Sequence, residues 1–148
     1  MGSHFKGTRE EVRALDSYIK LVRATDSLNS KINSFLSESG LSESQFHVLD
    51  ALFHLGDLSQ KDLAKKLLKS GGNITMVVDN LEDRKFVKRE RSKKDRRLIY
   101  VHLTGEGEKK IKNTLPGIVD MLTKEMKRIS ADEQTVLQKI CKKIGISL

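Results

Sequence analysis

Apolar residues recur at intervals of three and four along most of the chain, and this periodicity predicts six α-helices. The first helix begins at Thr8, a residue type that caps helices, and ends near Gly40. Its roughly 28 residues span about 42 Å at a rise of 1.5 Å per residue. An apolar stripe of that length is longer than a small domain covers by itself, which indicates a partner helix from a second copy of the chain.

Three shorter helices follow the first. Ser42 caps the second, which ends at Gly56, and Ser59 caps the third. The break at residues 69–72 contains two glycines and separates the third helix from the fourth, which extends to about Lys85. Two helices joined by a tight turn with glycine form a helix-turn-helix, whose second helix enters the DNA major groove.

The period of the pattern changes to two after the fourth helix. Residues 87–92 and 98–103 have the composition of strands, and the short tip at 92–96 is polar and very basic. This segment therefore predicts a β-hairpin.

Two further helices complete the pattern. One begins at Thr104 and contains Pro116, which we expect to kink it. The last begins at Ser130, which forms a capping box with Glu133. The order of elements predicts a mainly α fold with a small β-wing, a winged helix-turn-helix flanked by long N- and C-terminal helices.

Positive charge is concentrated in one segment. The chain has 28 Lys and Arg against 20 Asp and Glu, a net charge of +8. Residues 84–97 contain nine of the basic and two of the acidic side chains, so this segment carries +7 of that total. Such a cluster is either a solvated loop or the electrostatic footprint of a phosphate partner, and the hairpin context favours DNA.

Other classes of protein lack support in the sequence. The apolar runs are too short to span a bilayer, so we expect no membrane association. The one cysteine, Cys141, permits no internal disulfide and fits the cytoplasm, and we expect a buried structural thiol rather than a peroxide sensor. His47 and His54 share a helix with Asp50, but no further ligand set accompanies them. We therefore expect neither an enzyme nor a bound metal or cofactor.

Four segments together carry a resemblance to a known family. They are LSESQFHVL at 41–49, LSQKDLA at 58–64, NITMVVDNLE at 73–82 and DRRLIYVHLT at 95–104. In this order and spacing the chain resembles the MarR (multiple antibiotic resistance regulator) family of bacterial transcription factors. The resemblance implies a homodimer joined by its first and last helices, with recognition helices in successive major grooves and wing-tip arginines in the minor groove.

The resemblance also divides the chain, which we expect to be a single MarR-like domain over residues 1–148. Residues 41–104 would form the winged-helix DNA-binding lobe, and residues 8–40 and 105–148 the dimerisation helices. One departure is visible, because the family usually has glycine where this chain has Lys85. A left-handed residue other than glycine costs about 1 kcal/mol, so we expect a differently shaped turn there.

Candidate DNA contacts on the helix-turn-helix fall into two groups. Ser70, Gly71 and Gly72 precede the recognition helix, where backbone N–H groups bind phosphate unless these residues form only an ordinary turn. The outward face of the helix, unless merely solvated, contributes base contacts, of which the strongest candidates are Asn73, Thr75 and Met76, with Asn80 on the same face. Asp79 is expected to orient a nearby arginine, since phosphate repels a carboxylate.

The wing supplies the remaining candidates. One of Arg96 and Arg97 is expected to enter a minor groove, and Asp95 to hold a guanidinium in place. Expected phosphate contacts, or in part solvated charges, are Lys88, Arg89, Arg91, Lys93 and Lys94.

The predicted function is a dimeric sequence-specific transcriptional regulator. It would bind double-stranded DNA at a pseudo-palindromic operator, as a repressor released by a small aromatic or apolar effector. Two alternatives stay open at this point, nonspecific architectural DNA binding and a winged helix that binds protein. The ratio of specific to nonspecific affinity identifies architectural binding, and a negligible salt dependence of DNA binding would favour a winged helix that binds protein.

Overall fold

The computed structural model describes residues 2–67 and 71–145. Its helices and strands are α1 (Arg9–Glu38), α2 (Glu43–Leu55), β1 (Leu58–Ser59), α3 (Gln60–Lys66), α4 (Gly71–Asp83), β2 (Val87–Arg91), β3 (Ile99–Leu103), α5 (Gly105–Met126) and α6 (Ala131–Ile144). The fold is mainly α with a small antiparallel sheet, which confirms the predicted winged helix. No helix in the described ranges is long and apolar enough to cross a membrane.

The helices begin where their side chains cap the backbone. Thr8, Ser42 and Ser130 each accept a hydrogen bond from the backbone N–H three residues on, and that residue's side chain accepts from the cap in return. Ser59 and Thr104 cap α3 and α5 through the first half of this arrangement. These contacts are local, so the predicted helix starts are confirmed.

The sheet has three strands in the order β1-β3-β2. The predicted hairpin is present, with Val87 opposite Leu103 and Arg91 opposite Ile99. The sequence did not predict the third strand, β1, in which Leu58 pairs with Val101 on the other edge of β3. A strand of two residues is too short to show an alternating apolar and polar pattern in the sequence, so only its pairing with β3 identifies it.

The hydrophobic core lies in the lobe between α2 and β3 and against α5. Its largest fully buried side chains come from α1 through α5 and the sheet, and are Leu36, Val48, Leu49, Leu63, Ile74, Val78, Leu81, Val87, Val101 and Ile111. Of the α1 residues only Leu36, near its C-terminal end, is buried, and no α6 residue in the described range is buried. Most of α1 and all of α6 therefore lie outside the core of the single chain.

Helix α5 connects the lobe to these end helices and continues through Pro116. A Cβ atom on Gly107 would lie 2.0 Å from the carbonyl oxygen of Phe86, and one on Gly117 would lie 2.2 Å from the Phe35 ring. Both glycines are therefore required by close packing. The Lys31 ammonium, 2.6 Å from Glu125, adds an ion pair between α1 and α5.

Apolar side chains of α1 and α6 are exposed in the single chain. On α6 these are Val136, Leu137, Ile140 and Ile144, with exposed fractions from 39% to 68%, and on α1 Tyr18 is 64% exposed. Cys141 is also exposed, so the expectation of a thiol buried within the chain was wrong. The reason is that α6 packs no residue into the core.

The turn after α4 keeps the left-handed conformation that glycine favours. Lys85 has φ 63°, so the expectation of a differently shaped turn was wrong. The N–H of Phe86 donates to the carbonyl of Leu81, and that of Lys85 to Glu82, a pattern typical of a helix end with a left-handed residue. The hydroxyl of Thr104 also donates to the Lys85 carbonyl at 2.6 Å, which stabilises the strained conformation.

Candidate nucleic-acid interface

The N-terminal half of α4 exposes the predicted base-contact residues. Met76 is 74% exposed, although it is apolar, and Asn73 is exposed on the same face. Thr75 is half-buried, and Ile74 and Val78 point into the core. The helix therefore has one core face and one face that is largely exposed.

The predicted phosphate contacts lie at the start of this helix. Gly71 and Gly72 are the first two residues of α4, so the expectation that they form a break before the helix was wrong. Ser70 lies outside the described residues, as do Leu68 and Lys69. Within the described residues, the first turn of α4 contains no acidic residue that would repel an anion.

Helix α3 contacts the recognition helix through a side-chain hydrogen bond. The Gln60 amide donates to the Thr75 hydroxyl at 2.8 Å. Thr75 and Arg97 line one cleft of about 490 Å³ with Gln60, so the structure brings the recognition helix and the wing together there.

The sequence did not reveal a second contact, between α2 and the C-terminal half of α4. The Gln45 amide donates to Oδ1 of Asn80 at 2.7 Å, and Arg84 Nη1 donates to Gln45 Oε1 at 3.2 Å. The Arg84 guanidinium also stacks over the Phe86 ring at 4.9 Å. The capping box that begins at Ser42 would have identified Gln45 as a cap, but not as a partner of Asn80.

Arg89 joins the recognition helix to the wing. Its Nη2 atom lies 2.6 Å from Asp79 Oδ1 and 3.0 Å from Glu82 Oε1. The prediction that Asp79 orients an arginine is confirmed. Arg89 itself was expected to contact phosphate or solvent, and the structure places it in these ion pairs instead.

The same contacts explain two shifted ionisations. Hydrogen bonds from Arg89 lower the pKa of Glu82 below its usual value. In return, hydrogen bonding to Glu82 raises the pKa of Arg89, against the opposing effect of burial. The charged forms of both groups are therefore stabilised by the fold.

The wing tip holds one arginine in a defined orientation. Asp95 accepts hydrogen bonds from the backbone N–H of Arg97 at 3.0 Å and from its guanidinium at 3.1 and 3.2 Å. These bonds lower the pKa of Asp95. The Arg97 side chain is nevertheless 90% exposed, so it is both oriented and accessible.

The other wing-tip cations surround this pair. Arg91 donates to the carbonyl of Arg96 at 2.5 Å, which closes the tip across the hairpin. The Ser92 hydroxyl accepts from the backbone N–H groups of Lys94 and Asp95 at 3.2 Å each. The exposed basic residues at or beside the tip are Arg91, Lys93, Lys94, Arg96 and Arg97.

The histidines of α2 lie beside two different carboxylates. His47 lies 3.6 Å from Glu43, and His54 lies 3.1 Å from Asp50. Within the described part of the chain, no group of three or more His, Cys, Asp or Glu is arranged to hold a metal ion.

Comparison with known sequences identifies the family. The MarR family model matches residues 41–99, the segment that contains α2 through the start of β3. The chain is 33% identical over 138 residues to the uncharacterized HTH-type transcriptional regulator YkoM of Bacillus subtilis, covering 93% of this chain and 90% of YkoM. It is 30% identical to the HTH-type transcriptional repressor YetL of the same organism, covering 86% and 77% of the two chains.

Solved structures share the fold. AbsC, a MarR family regulator from Streptomyces coelicolor, matches with a TM-score of 0.87 at 18% identity, over 97% of both chains. MepR from Staphylococcus aureus, solved in complex with DNA, matches with a TM-score of 0.81 at 23% identity, over 97% of this chain and all of MepR. NadR, solved with 4-hydroxyphenylacetate, matches with a TM-score of 0.72 at 19% identity, over 97% of both chains.

The similarity to YkoM extends over nearly the full length of both proteins, and the family model falls on the lobe that contains the exposed recognition helix and the basic wing. This chain belongs to the MarR family of DNA-binding transcriptional regulators, a family of regulators rather than enzymes.

Proposed function

We propose that this regulator is a homodimeric, sequence-specific repressor that binds a pseudo-palindromic operator and is released by a small ligand. The observation that carries the proposal is the pairing of an exposed α4 face with a wing arginine that Asp95 already orients. Specific recognition requires base-reading side chains and positioned charges together, and the exposed α4 face and the oriented Arg97 are candidates for these two roles.

The recognition helix is proposed to enter the major groove by its N-terminal half. Asn73 offers an amide to base edges, and Thr75 and Met76 offer methyl groups to thymine. Ser70, Gly71 and Gly72 are proposed to contact phosphate, since the first turn of a helix favours an anion. Asn80 is placed on the same face, two helical turns beyond Asn73.

The wing is proposed to add minor-groove and backbone contacts. Arg96 or Arg97 enters a minor groove, where narrow A·T tracts concentrate negative potential. Asp95 reduces the entropy that Arg97 loses on binding, because its hydrogen bonds already fix that side chain. The proposed phosphate contacts at this site are Arg91, Lys93 and Lys94.

The exposed apolar faces of α1 and α6 support a dimer. Residues 8–40 and 105–148 are proposed as its dimerisation helices and residues 41–104 as the DNA-binding lobe of a single domain. A second copy would cover side chains such as Tyr18 and Ile140, which are 64% and 48% exposed in one chain. A two-fold dimer presents two recognition helices, whose separation must match about 34 Å, one turn of DNA.

Repression and release by a ligand rest on the relatives. YetL is named a repressor, and NadR was solved with a small aromatic acid. We propose a small aromatic or apolar effector that binds between the dimerisation helices and the lobe and changes the spacing of the two recognition helices. The protein would act in the cytoplasm, where its operator lies.

Fluorescence anisotropy over a salt series tests the proposal. The probes are a duplex from the region upstream of this protein's gene, a duplex that the protein selects from a random-sequence library, and a scrambled version of each. We expect binding to the selected duplex to be tighter than to its scramble by about a thousandfold or more. Equal binding to both that weakens steeply with salt would indicate architectural binding, and no binding to any duplex would refute a DNA-binding function.

A further inference from the structure

We propose that Gln45 is a positioning residue for DNA recognition. It engages the carbonyl oxygen of Asn80 and fixes the orientation of that amide, so that Asn80 presents its NH₂ group to DNA. Asn80 then acts as a hydrogen-bond donor to an acceptor on DNA, in preference to the paired contact that reads adenine. This inference rests on the proposed function, and the experiments below separate the failure of one from the failure of the other.

The orientation of the Gln45 amide is fixed by two groups that can only donate. The backbone N–H of Ser42 lies 3.0 Å from Gln45 Oε1, and Arg84 Nη1 lies 3.2 Å from the same atom. Neither a backbone N–H nor a guanidinium can accept a hydrogen bond. The Gln45 atom that accepts both bonds must therefore be the amide oxygen. The partners decide this, since the two ends of an amide group are nearly equal in size.

The orientation of Asn80 follows from that of Gln45. With its oxygen occupied, Gln45 presents its NH₂ group to Asn80, and a donor requires an acceptor opposite it. The Asn80 atom 2.7 Å away is therefore Oδ1. Within the part of the chain that the structure describes, no acceptor takes the two Nδ2 hydrogens of Asn80, and the side chain is exposed.

Several contacts hold this arrangement in place. The hydrogen bond from the Ser42 N–H to Gln45 is half of the α2 capping box, so breaking it would weaken the start of the helix. The guanidinium of Arg84 is itself held by the Phe86 ring at 4.9 Å. The amide of Gln45 is thus bound at both ends, through its oxygen to Ser42 and Arg84 and through its nitrogen to Asn80. It cannot turn away from the Asn80 oxygen without breaking one of these bonds.

Asn80 lies on the face that we propose to meet DNA. It lines one open cleft with Gln45, Asn73 and Met76. Asn73 and Asn80 are seven residues apart, which places them on the same side of the helix. A duplex that contacts Asn73 is therefore expected to bring either a base edge or a backbone phosphate close to Asn80.

The chemistry of the free group limits what Asn80 can read. An asparagine recognises adenine by accepting from N6 and donating to N7 at once. Gln45 already takes one of the two lone pairs of Asn80 Oδ1 and fixes the amide, so adenine would have to use the remaining lone pair in that fixed orientation. A lone NH₂ group instead suits a phosphate oxygen, guanine O6 or N7, or thymine O4. The two sources, backbone and base edge, share this acceptor chemistry.

The variant Gln45→Glu isolates the proposed role. Glutamate is a natural partner in the capping box, so it keeps the bond to Ser42 N–H and gains an ion pair with Arg84. It cannot donate to Asn80, whose amide then turns and presents its oxygen to DNA acceptors. With a duplex selected from a random library by the unaltered protein, we expect about tenfold weaker binding, with the melting temperature of the free protein unchanged.

A double-mutant cycle distinguishes positioning from the added negative charge. In an Asn80→Ala background, Gln45→Glu should weaken binding only about twofold, because the residue it acts through is gone. Ser44→Glu places the same charge at the neighbouring position and should match that twofold effect. Equal losses from Gln45→Glu in both backgrounds, or a full tenfold loss from Ser44→Glu, would overturn the proposal.

Base substitutions in the selected duplex identify the acceptor. If Asn80 donates to a base edge, Asn80→Ala relaxes the preference at one guanine or thymine, and if it donates to a phosphate, binding weakens about equally on all sequences with an unchanged salt slope. Both results support the inference. Replacing an adenine by the unsubstituted base purine, which lacks the N6 amino group, removes the N6 donor. If such a replacement weakens binding of the unaltered protein but not of Asn80→Ala, the Asn80 carbonyl reads that adenine, and the inference is overturned.

Loss of DNA specificity and loss of the Asn80 contact give different results. If the unaltered protein does not prefer its selected duplex to the scramble, the proposed function is rejected, and this inference with it. If it does prefer the duplex and Asn80→Ala binds as tightly as the unaltered protein, the inference alone is rejected.

Discussion

Arg89 in β2 donates three hydrogen bonds to the one carboxylate of Glu82 in α4, from its backbone N–H at 2.8 Å and from its guanidinium at 3.0 and 3.2 Å. The guanidinium also meets Asp79, one helical turn earlier. Asp79 and Glu82 of the recognition helix thus hold the first strand of the wing. This contact sets the position of the wing tip, with its oriented Arg97, relative to the exposed face of α4.

Removal of the Glu82 charge should therefore weaken both the fold and DNA binding. We expect Glu82→Gln to lower the free energy of unfolding by about 1 kcal/mol, since hydrogen bonds to a charged group contribute about 1.5–3 kcal/mol and partial exposure reduces this. Urea unfolding measures it. The exposed neighbour Asp83→Asn makes the same change of charge and should leave stability unaltered, so equal losses in the two variants would contradict the role of the Arg89 contact.

The same carboxylate predicts a pH dependence. Arg89 depresses the pKa of Glu82 in the folded state, so the contribution to stability is fully present above the unfolded value, about 4.3, and is lost as the pH falls through the lower folded value. The difference in unfolding free energy between the unaltered protein and Glu82→Gln should be constant between pH 7 and pH 5.5 and shrink below about pH 4.3. A difference that grows toward acid pH would show that the pKa is not depressed.

The left-handed turn at Lys85 predicts a stabilising substitution. Lys85→Gly should raise the free energy of unfolding by about 1 kcal/mol, because glycine adopts a φ of 63° without strain. Lys85→Ala removes the same charge and keeps the strain, so we expect a change within about 0.5 kcal/mol. Thermal unfolding of the pair separates conformation from charge, and equal stability of the two variants would contradict the explanation.

Two glycines at the start of α5 form a matched pair. Gly107→Ala places a methyl group 2.0 Å from the Phe86 carbonyl oxygen, so we expect a loss of about 1–3 kcal/mol as α5 shifts. A Cβ atom on Gly105 would have no neighbouring atom within 4 Å, so Gly105→Ala should be neutral or stabilise the helix by up to about 1 kcal/mol. Equal effects on the urea midpoint would show that the contact at Gly107 relaxes freely.

The exposed face of α6 tests the proposed dimer. Ile140 is 48% exposed in the single chain, and Ile140→Glu would bury a charge in the proposed interface. We expect a shift from dimer to monomer in sedimentation velocity and about a hundredfold weaker binding to the selected duplex, since the two half-sites no longer bind as a unit. Gln138→Glu adds the same charge on another side of α6 and should remain dimeric. A monomeric unaltered protein would refute the dimer directly.

Much of this protein could be predicted from local signals. The helix starts at Thr8, Ser42 and Ser130 follow from side chains that bond backbone groups three residues away, and such contacts need no tertiary partner. The hairpin and the Asp95–Arg97 contact are similarly short-range. The concentration of charge at 84–97 required only a count, and the family resemblance required only the order of its motifs.

The remaining features depend on which distant residues the fold brings together. Gln45 and Asn80 are 35 positions apart, and only the packing of α2 against α4 lets Gln45 orient the Asn80 amide. Strand β1 exists because β3 lies beside Leu58, and Cys141 is exposed because α6 extends beyond the core of the chain. At Lys85 the sequence showed the missing glycine, but the Thr104 hydroxyl, 19 positions away, helps to hold the turn left-handed. The sequence by itself determined the elements and their class, because their energies are local, whereas the tertiary structure decided orientation and exposure, because those depend on long-range contacts.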